Sequence, residues 1–228
     1  MNNLEINARF KTAPWYENSK KETILLGGIG GIGSYALFFL TKTIPCTYYI
    51  FDFDKIEAHN LGTQFFKKDE LNMLKVEAMQ NRCKNFTIAK VNSFARKYIN
   101  EYLPIMISAF DNMEARKLMF NKWKSTDTRE LFIDGRLRAN YYEIYAVQKG
   151  QEEAYEKTLF NSSEVTKSSC TFKQTAYFAG LIGARIAHMV VNYLSNKYAE
   201  EPVCEIPFKI EEIGEPFITN ISYEINKN

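Results

Sequence analysis

None of the four cysteines, Cys46, Cys83, Cys170 and Cys204, falls in a C-x-x-C pair. A zinc knuckle is therefore not written in the chain, and no zinc is expected. No apolar run reaches the length of a membrane span, and residues 1–20 lack the basic-then-apolar layout of a signal peptide. The expected setting is the cytoplasm, with no membrane partner. In that reducing compartment the cysteines read as free thiols, with Cys46, Cys83 and Cys204 structural. Lysines and arginines number 29 against 27 aspartates and glutamates, a net charge of +2, and no basic tract gathers them. No nucleic-acid partner is expected. Histidine is scarce: His188 sits in an apolar helical stretch and reads as packed, while His59 precedes a candidate nucleotide-binding segment. The chain holds no internal repeat and no low-complexity stretch.

Apolar residues make up 46% of the 228 positions and aromatics 14%, ample for the buried core of one α/β domain. Thr23-Ile24-Leu25-Leu26 reads as a short buried strand that runs into glycines, and residues 34–40 as a helix packed on a sheet. Pro14 discourages a helix through that point. Strands are expected at 47–51, 88–91, 105–109, from 131 to Asp134, and at 142–148. Helices are expected over 68–86 and 114–123. Residues 149–169 read as an irregular surface loop, 176–198 as the longest helix, and 205–225 as two strands joined near Gly214-Glu215-Pro216. Strand, glycine turn, helix and strand in repetition predict a Rossmann-like, mainly parallel sheet with helices on both faces and a short C-terminal β extension. A single domain is expected: a lead-in at 1–22, a nucleotide-binding core at 23–148, a crossover loop at 149–175, and a C-terminal helix and β hairpin at 176–228.

Gly28-Ile29-Gly30-Gly31-Ile32-Gly33-Ser34 follows a strand and opens a helix. Glycines there permit a tight turn and let phosphates approach the helix N-terminus, where free N–H groups and the helix dipole favour anions. No Gly-Lys-Ser/Thr follows, so the segment is not a P-loop. Asp52 ends the next strand, where Rossmann proteins place a ribose-binding carboxylate, with Asp54 the weaker candidate of the pair. To this point a nicotinamide dinucleotide and ATP fit nearly equally.

Three further segments separate them: Asn60-Leu61-Gly62-Thr63-Gln64, then Lys75-Val76-Glu77-Ala78, then Ser108-Ala109-Phe110-Asp111-Asn112 with Arg116 beyond. Taken in order with the glycine turn and Asp52-Phe53-Asp54, they resemble the ThiF/MoeB branch of the ubiquitin-activating enzyme superfamily over about residues 9–198. The resemblance implies ATP phosphates at Gly28, Gly30, Gly31, Gly33 and Ser34, and ribose at Asp52. It also implies that Asn60 and Gln64 lie near the phosphates, that Lys75 meets phosphate charge, and that Asp111, beside Asn112, holds Mg²⁺. Lys and Mg²⁺ offset the charge that builds when a carboxylate attacks the α-phosphorus and pyrophosphate leaves. Arg9 would reach across a homodimer to the partner's ATP. The homodimer is expected from the family's pairing and from the small residues of 176–198. Cys170, just before that helix, would accept the activated acyl group. The implied activity is an ATP-dependent adenylyltransferase acting on the C-terminal carboxylate of a ubiquitin-like protein, a sulfur-carrier protein or a peptide.

Thr63 stands where that family has an arginine, and Arg136 and Arg138, just after the strand ending at Asp134, are candidate replacements. The two C-x-x-C pairs of MoeB-like members are missing, and the short C-terminal half leaves no room for a large cysteine domain. A non-catalytic relative that only holds nucleotide or a partner remains an alternative. An NAD-dependent oxidoreductase is a weaker one, because Lys75 and Asp111 have no task in hydride transfer.

Overall fold

The computed structural model describes residues 8–85, 87–138, 141–160, 175–213 and 218–223. Among them an eight-stranded sheet runs in the order β3-β2-β1-β4-β5-β6-β7-β8. The strands are β1 (Thr23–Gly27), β2 (Thr47–Phe51), β3 (Lys90–Phe94), β4 (Ile105–Ser108), β5 (Leu131–Arg138), β6 (Tyr141–Gln148), β7 (Lys209–Ile213) and β8 (Ile218–Ser222). The first five pair in parallel and the last three antiparallel. β1 and β4 lie inside the parallel part of the sheet, in register through Leu25↔Met106 and Leu26↔Ile107. Both are covered on two faces, which is why they read as continuous apolar runs.

The described residues form six α-helices beside the sheet: α1 (Pro14–Ser19), α2 (Gly31–Thr43), α3 (Lys75–Lys84), α4 (Met113–Lys124), α5 (Glu152–Glu156) and α6 (Ala176–Tyr198). Strand side chains alternate between faces. Leu26, Ile107 and Ile133 pack with Leu37 of α2, Met79 of α3 and Ile186 and Val190 of α6. Leu25, Met106 and Phe132 face the other way, onto Phe120 and Trp123 of α4 and Tyr155 of α5. The architecture is the expected Rossmann-like sheet with helices on both faces, extended by antiparallel strands.

At Pro14 the expectation stands, because the proline opens α1 at its first turn and no helix runs through it; proline lacks only an N–H that a first turn leaves unused. Several other local expectations are corrected. The expected helix over 68–86 is split. A 3-10 turn at Lys68–Glu70 ends near Asn72, whose φ of 67° is left-handed, and α3 begins only at Lys75. Asparagine tolerates that backbone region better than most residues. β3 lies at 90–94 rather than 88–91. β5 continues past Asp134 to Arg138, so Arg136 and Arg138 are strand residues. The stretch 149–169 contains α5.

Candidate active site

Three strand ends build the site. Gly28 N–H donates to Phe51 O at 2.8 Å and Ala109 N–H to Gly27 O at 2.8 Å, so the β1 turn is held between the ends of β2 and β4. Gly28 has φ +84°, and a Cβ there would also lie 2.7 Å from the Ala109 carbonyl oxygen. A Cβ on Gly33 would fall 1.8 Å from Gly28 O. The turn therefore closes tightly on the first turn of α2 only with glycine at both places. α2 starts without a side-chain cap, and Gly30, Gly31 and Ile32 line the cavity in front of it. Its first-turn N–H groups face a site suited to anions.

That cavity, about 500 Å³, has the size of an ordinary small-molecule site. Asp52 enters from β2. Its Oδ2 accepts from Ile29 N–H at 2.7 Å and its Oδ1 from Asp54 N–H at 2.8 Å. Burial raises its carboxyl above the ordinary value, against those two bonds and the charge of Lys75. Lys75, buried at the start of α3, donates to Asp54 Oδ2 at 2.8 Å. Asp111 and Asn112 follow β4 and are exposed. Asn112 Oδ1 caps α4 by accepting from Ala115 N–H at 2.8 Å, and its Nδ2 donates to Asp111 Oδ1 at 3.2 Å.

Gln64 completes the set. Its Nε2 faces the Gly30 turn, 4.0 Å from where a Cβ would stand, and its buried Oε1 has no partner among the described residues. A buried amide left in this state fits a polar ligand or a bridging water. The structure thus brings Gly28, Gly30, Gly31, Asp52, Asp54, Gln64, Lys75, Asp111 and Asn112 to one cavity.

Other sequence candidates lie elsewhere. Gly33 supports the turn from behind. Ser34 Oγ donates to Gly31 O at 3.1 Å and accepts from Phe65 N–H at 3.0 Å. Asn60 is buried, and its Oδ1 accepts from Glu57 N–H at 2.9 Å. None of the three lines the cavity. Arg9 is exposed in a 3-10 turn and does not line the cavity of its own chain. Cys170 lies outside the described residues. Thr63 donates its N–H to Asn60 O at 3.1 Å and is not a lining residue. Arg138 is exposed on β5, while Arg136 is committed to Asp134, donating to Oδ2 at 2.6 Å. Neither lines the cavity.

Two features escaped the sequence reading. Arg96 lines the cavity beyond β3, its guanidinium 5.2 Å from the Phe51 ring and 5.6 Å from the Phe94 ring. Its only signal was a cation just past a strand end. The second is a buried polar node. Arg116, also a lining residue, bonds to Asp134 Oδ1, to Phe110 O and to Gly135 O, the last at 2.9 Å. Asp134 further accepts from Arg136 and, at 2.9 Å, from Tyr155 OH. Burial alone would raise the Asp134 carboxyl, but the Arg116 and Arg136 charges outweigh it and hold it below the ordinary range. Among the described residues no three His, Cys, Asp or Glu side chains gather in a way that could hold a metal ion.

The sequence model of the ThiF family matches residues 4–216. Similar curated proteins are named ubiquitin-like modifier-activating enzyme 5. That of Drosophila ananassae is 29% identical over 121 residues, 44% of this chain and 31% of the relative. That of Drosophila pseudoobscura pseudoobscura is 32% identical over 97 residues, 42% of this chain and 23% of the relative. The chain thus spans about a third or less of these relatives' length. Among solved structures, E. coli MccB with ATP superposes with a TM-score of 0.70 at 18% identity, covering 92% of this chain and 66% of that one. Microcin C7 biosynthetic enzyme MccB in complex with N-formylated MccA gives 0.72 at 17%, covering 92% and 67%. At these identities the superpositions carry the fold alone.

Proposed function

Because the chain belongs to the ThiF family, we propose that it is an ATP- and Mg²⁺-dependent adenylyltransferase. Its substrate would be the C-terminal carboxylate of a peptide, a ubiquitin-like protein or a sulfur-carrier protein. The observation that carries this reading is the convergence on one cavity of the glycine turn, Asp52, Gln64, Lys75 and Asp111 from separate parts of the chain. The names of the relatives, ubiquitin-like modifier-activating enzyme 5, fit a ubiquitin-like substrate, and the fold shared with MccB, solved with ATP and with N-formylated MccA, is compatible with a nucleotide and a peptide in the same cavity.

The first turn of α2 would hold phosphate oxygens through backbone N–H groups, with Gln64 closing over them. Asp52, fixed by its two backbone bonds, would meet the ribose hydroxyls. Lys75 would share its ammonium between Asp54 and the phosphates. The substrate carboxylate oxygen attacks the α-phosphorus, and the bond to pyrophosphate breaks. The task of the chain is to orient those groups and stabilise the charge passing to the leaving oxygen. Asp111 would hold Mg²⁺, which supplies a Lewis acid for phosphate charge; one carboxylate plus phosphate and water oxygens is an ordinary donor set for that ion. Arg9 would act on the pocket of a second copy in a homodimer, and Cys170 would take the acyl group from the adenylate.

The test is pyrophosphate exchange into ATP, with Mg²⁺ and candidate carboxylate partners, beside calorimetry with ATP and NAD. Exchange that depends on a partner is expected. Tight NAD binding without an ATP signal would overturn the reading. A second reading rests on Thr63: with threonine at the family's arginine position, the chain would bind ATP and a partner without chemistry. Binding without exchange would favour it.

A further inference from the structure

Lys75 and Arg82 are both buried on α3. Their spacing of two helical turns puts them on one face of the helix. Both reach into the connection between β2 and α3, Lys75 to Asp54 at one end and Arg82 to Phe65 and Glu70 at the other. Arg82 Nη1 donates to Phe65 O at 2.5 Å, Nη2 bonds to the Glu70 carboxylate, and the guanidinium lies 4.7 Å from the centre of the Phe65 ring. Phe65 N–H donates to Ser34 Oγ at 3.0 Å, and its ring meets Phe38 at 4.7 Å and Tyr35 at 5.4 Å. Phe65 is thereby held at its amide, its carbonyl and its ring. The preceding residue is Gln64, whose Nε2 faces the glycine turn and whose buried Oε1 has no partner among the described residues.

We propose that Arg82 is a positioning residue that fixes Gln64 at the glycine turn by clamping Phe65. The inference rests on the adenylation reading for what Gln64 does there, and on the contacts above for how it is held. A buried guanidinium whose Nε has no partner among the described residues is costly for its helix, so plain stability is a poor account of it. The fork geometry supplies one N–H for the carbonyl, another for the carboxylate and a flat face at once, which an ammonium does not. Arg82 does not line the cavity, so it acts only through the segment it holds.

Arg82→Lys, Gln64→Ala and the double variant test this. Two readouts are used: amide hydrogen exchange without nucleotide, and Mg-ATP affinity by calorimetry. In Arg82→Lys, exchange across 60–70 should quicken by about tenfold or more while β1 and α2 stay protected. Mg-ATP affinity should fall about tenfold in each single variant, the loss of one hydrogen bond to a charged group. The double variant should bind no more weakly than Gln64→Ala. Unchanged exchange at 60–70, faster exchange throughout the chain, or losses that multiply in the double variant would each overturn the proposal. A wild type that binds no nucleotide would bring down the adenylation reading, and hydrogen exchange would still decide the clamp.

Discussion

The Lys75 ammonium lies 2.8 Å from the Asp54 carboxylate, with the lysine buried and the aspartate half-exposed. The cation is thus held at the cavity before any ligand arrives, by a partner that water already screens. An incoming phosphate competes with a weak surface-type ion pair rather than with a sealed one. The pairing aims the ammonium without neutralising it in a low-dielectric interior.

Lys75→Met should leave the fold intact, because methionine fills similar volume and Asp54 stays solvated. Partner-dependent pyrophosphate exchange should fall about 100-fold or more, the usual cost of removing one preorganised transition-state charge. Initial rates at saturating ATP check this. Exchange at the wild-type rate would remove Lys75 from the phosphate site.

Asp111→Asn is expected to abolish Mg²⁺-dependent exchange and to change stability by less than about 0.5 kcal/mol. Asp111 is exposed, and its carboxylate accepts one 3.2 Å bond from Asn112; losses at such positions are small. Denaturant melts beside a Mg²⁺ titration of the exchange rate separate the two effects. Full exchange in the variant would mean that Asp111 is not the metal carboxylate.

How far the site could be read from the chain follows from where each residue's reason lies. The turn that bears Gly28 and Gly33 was legible because its chemistry is local: a strand, a backbone that needs glycine, and a helix follow one another. Asp52 was legible by its distance from that turn. The Arg116–Asp134 pair was not, because the partners are 18 positions apart on a helix and a strand and no periodicity links them. The sequence reading ended the strand at Asp134. In fact β5 continues to Arg138, and two arginines make the buried carboxylate tolerable. The start of α3 was misjudged for a similar reason. Residues 68–74 have helical composition, but Asn72 takes a left-handed φ that the composition does not encode.

Cys170→Ser distinguishes two courses after adenylation. If Cys170 accepts the acyl group, its thiolate attacks the carbonyl carbon of the acyl adenylate, a thioester forms and AMP leaves. Wild type with ATP and its partner should then show a covalent, thiol-sensitive adduct by intact-protein mass spectrometry. The serine variant should accumulate adenylate and keep pyrophosphate exchange. The same adduct pattern in both proteins would reduce Cys170 to packing.

Asp134→Asn should destabilise the chain by about 3–5 kcal/mol at neutral pH, because two buried guanidinium groups lose their counter-charge. The pH dependence has a definite sign. The Asp134 carboxyl is held below its ordinary value in the folded protein by Arg116 and Arg136, which outweigh the effect of burial. As pH falls, the unfolded chain therefore binds the proton first, near its ordinary value of about 3.9. Between that value and the lower folded one the unfolded state carries more protons, so stability declines with falling pH. The Asp134 contribution is complete above the unfolded value and gone once the folded carboxyl is protonated. Glu101, Glu152 and Glu211 are also held below their ordinary values by partners other than Arg116 and Arg136, so they cancel in the difference, whereas Glu143, 4.0 Å from Arg136, belongs to the same network and shares in it. Urea midpoints for wild type and variant should stand furthest apart from pH 6 to 8, a range chosen well above about 3.9, and converge in acid. A difference that stays constant down to the acid limb would mean that Asp134 is not ionised in the folded protein, and that the two arginines are held by neutral hydrogen bonds instead.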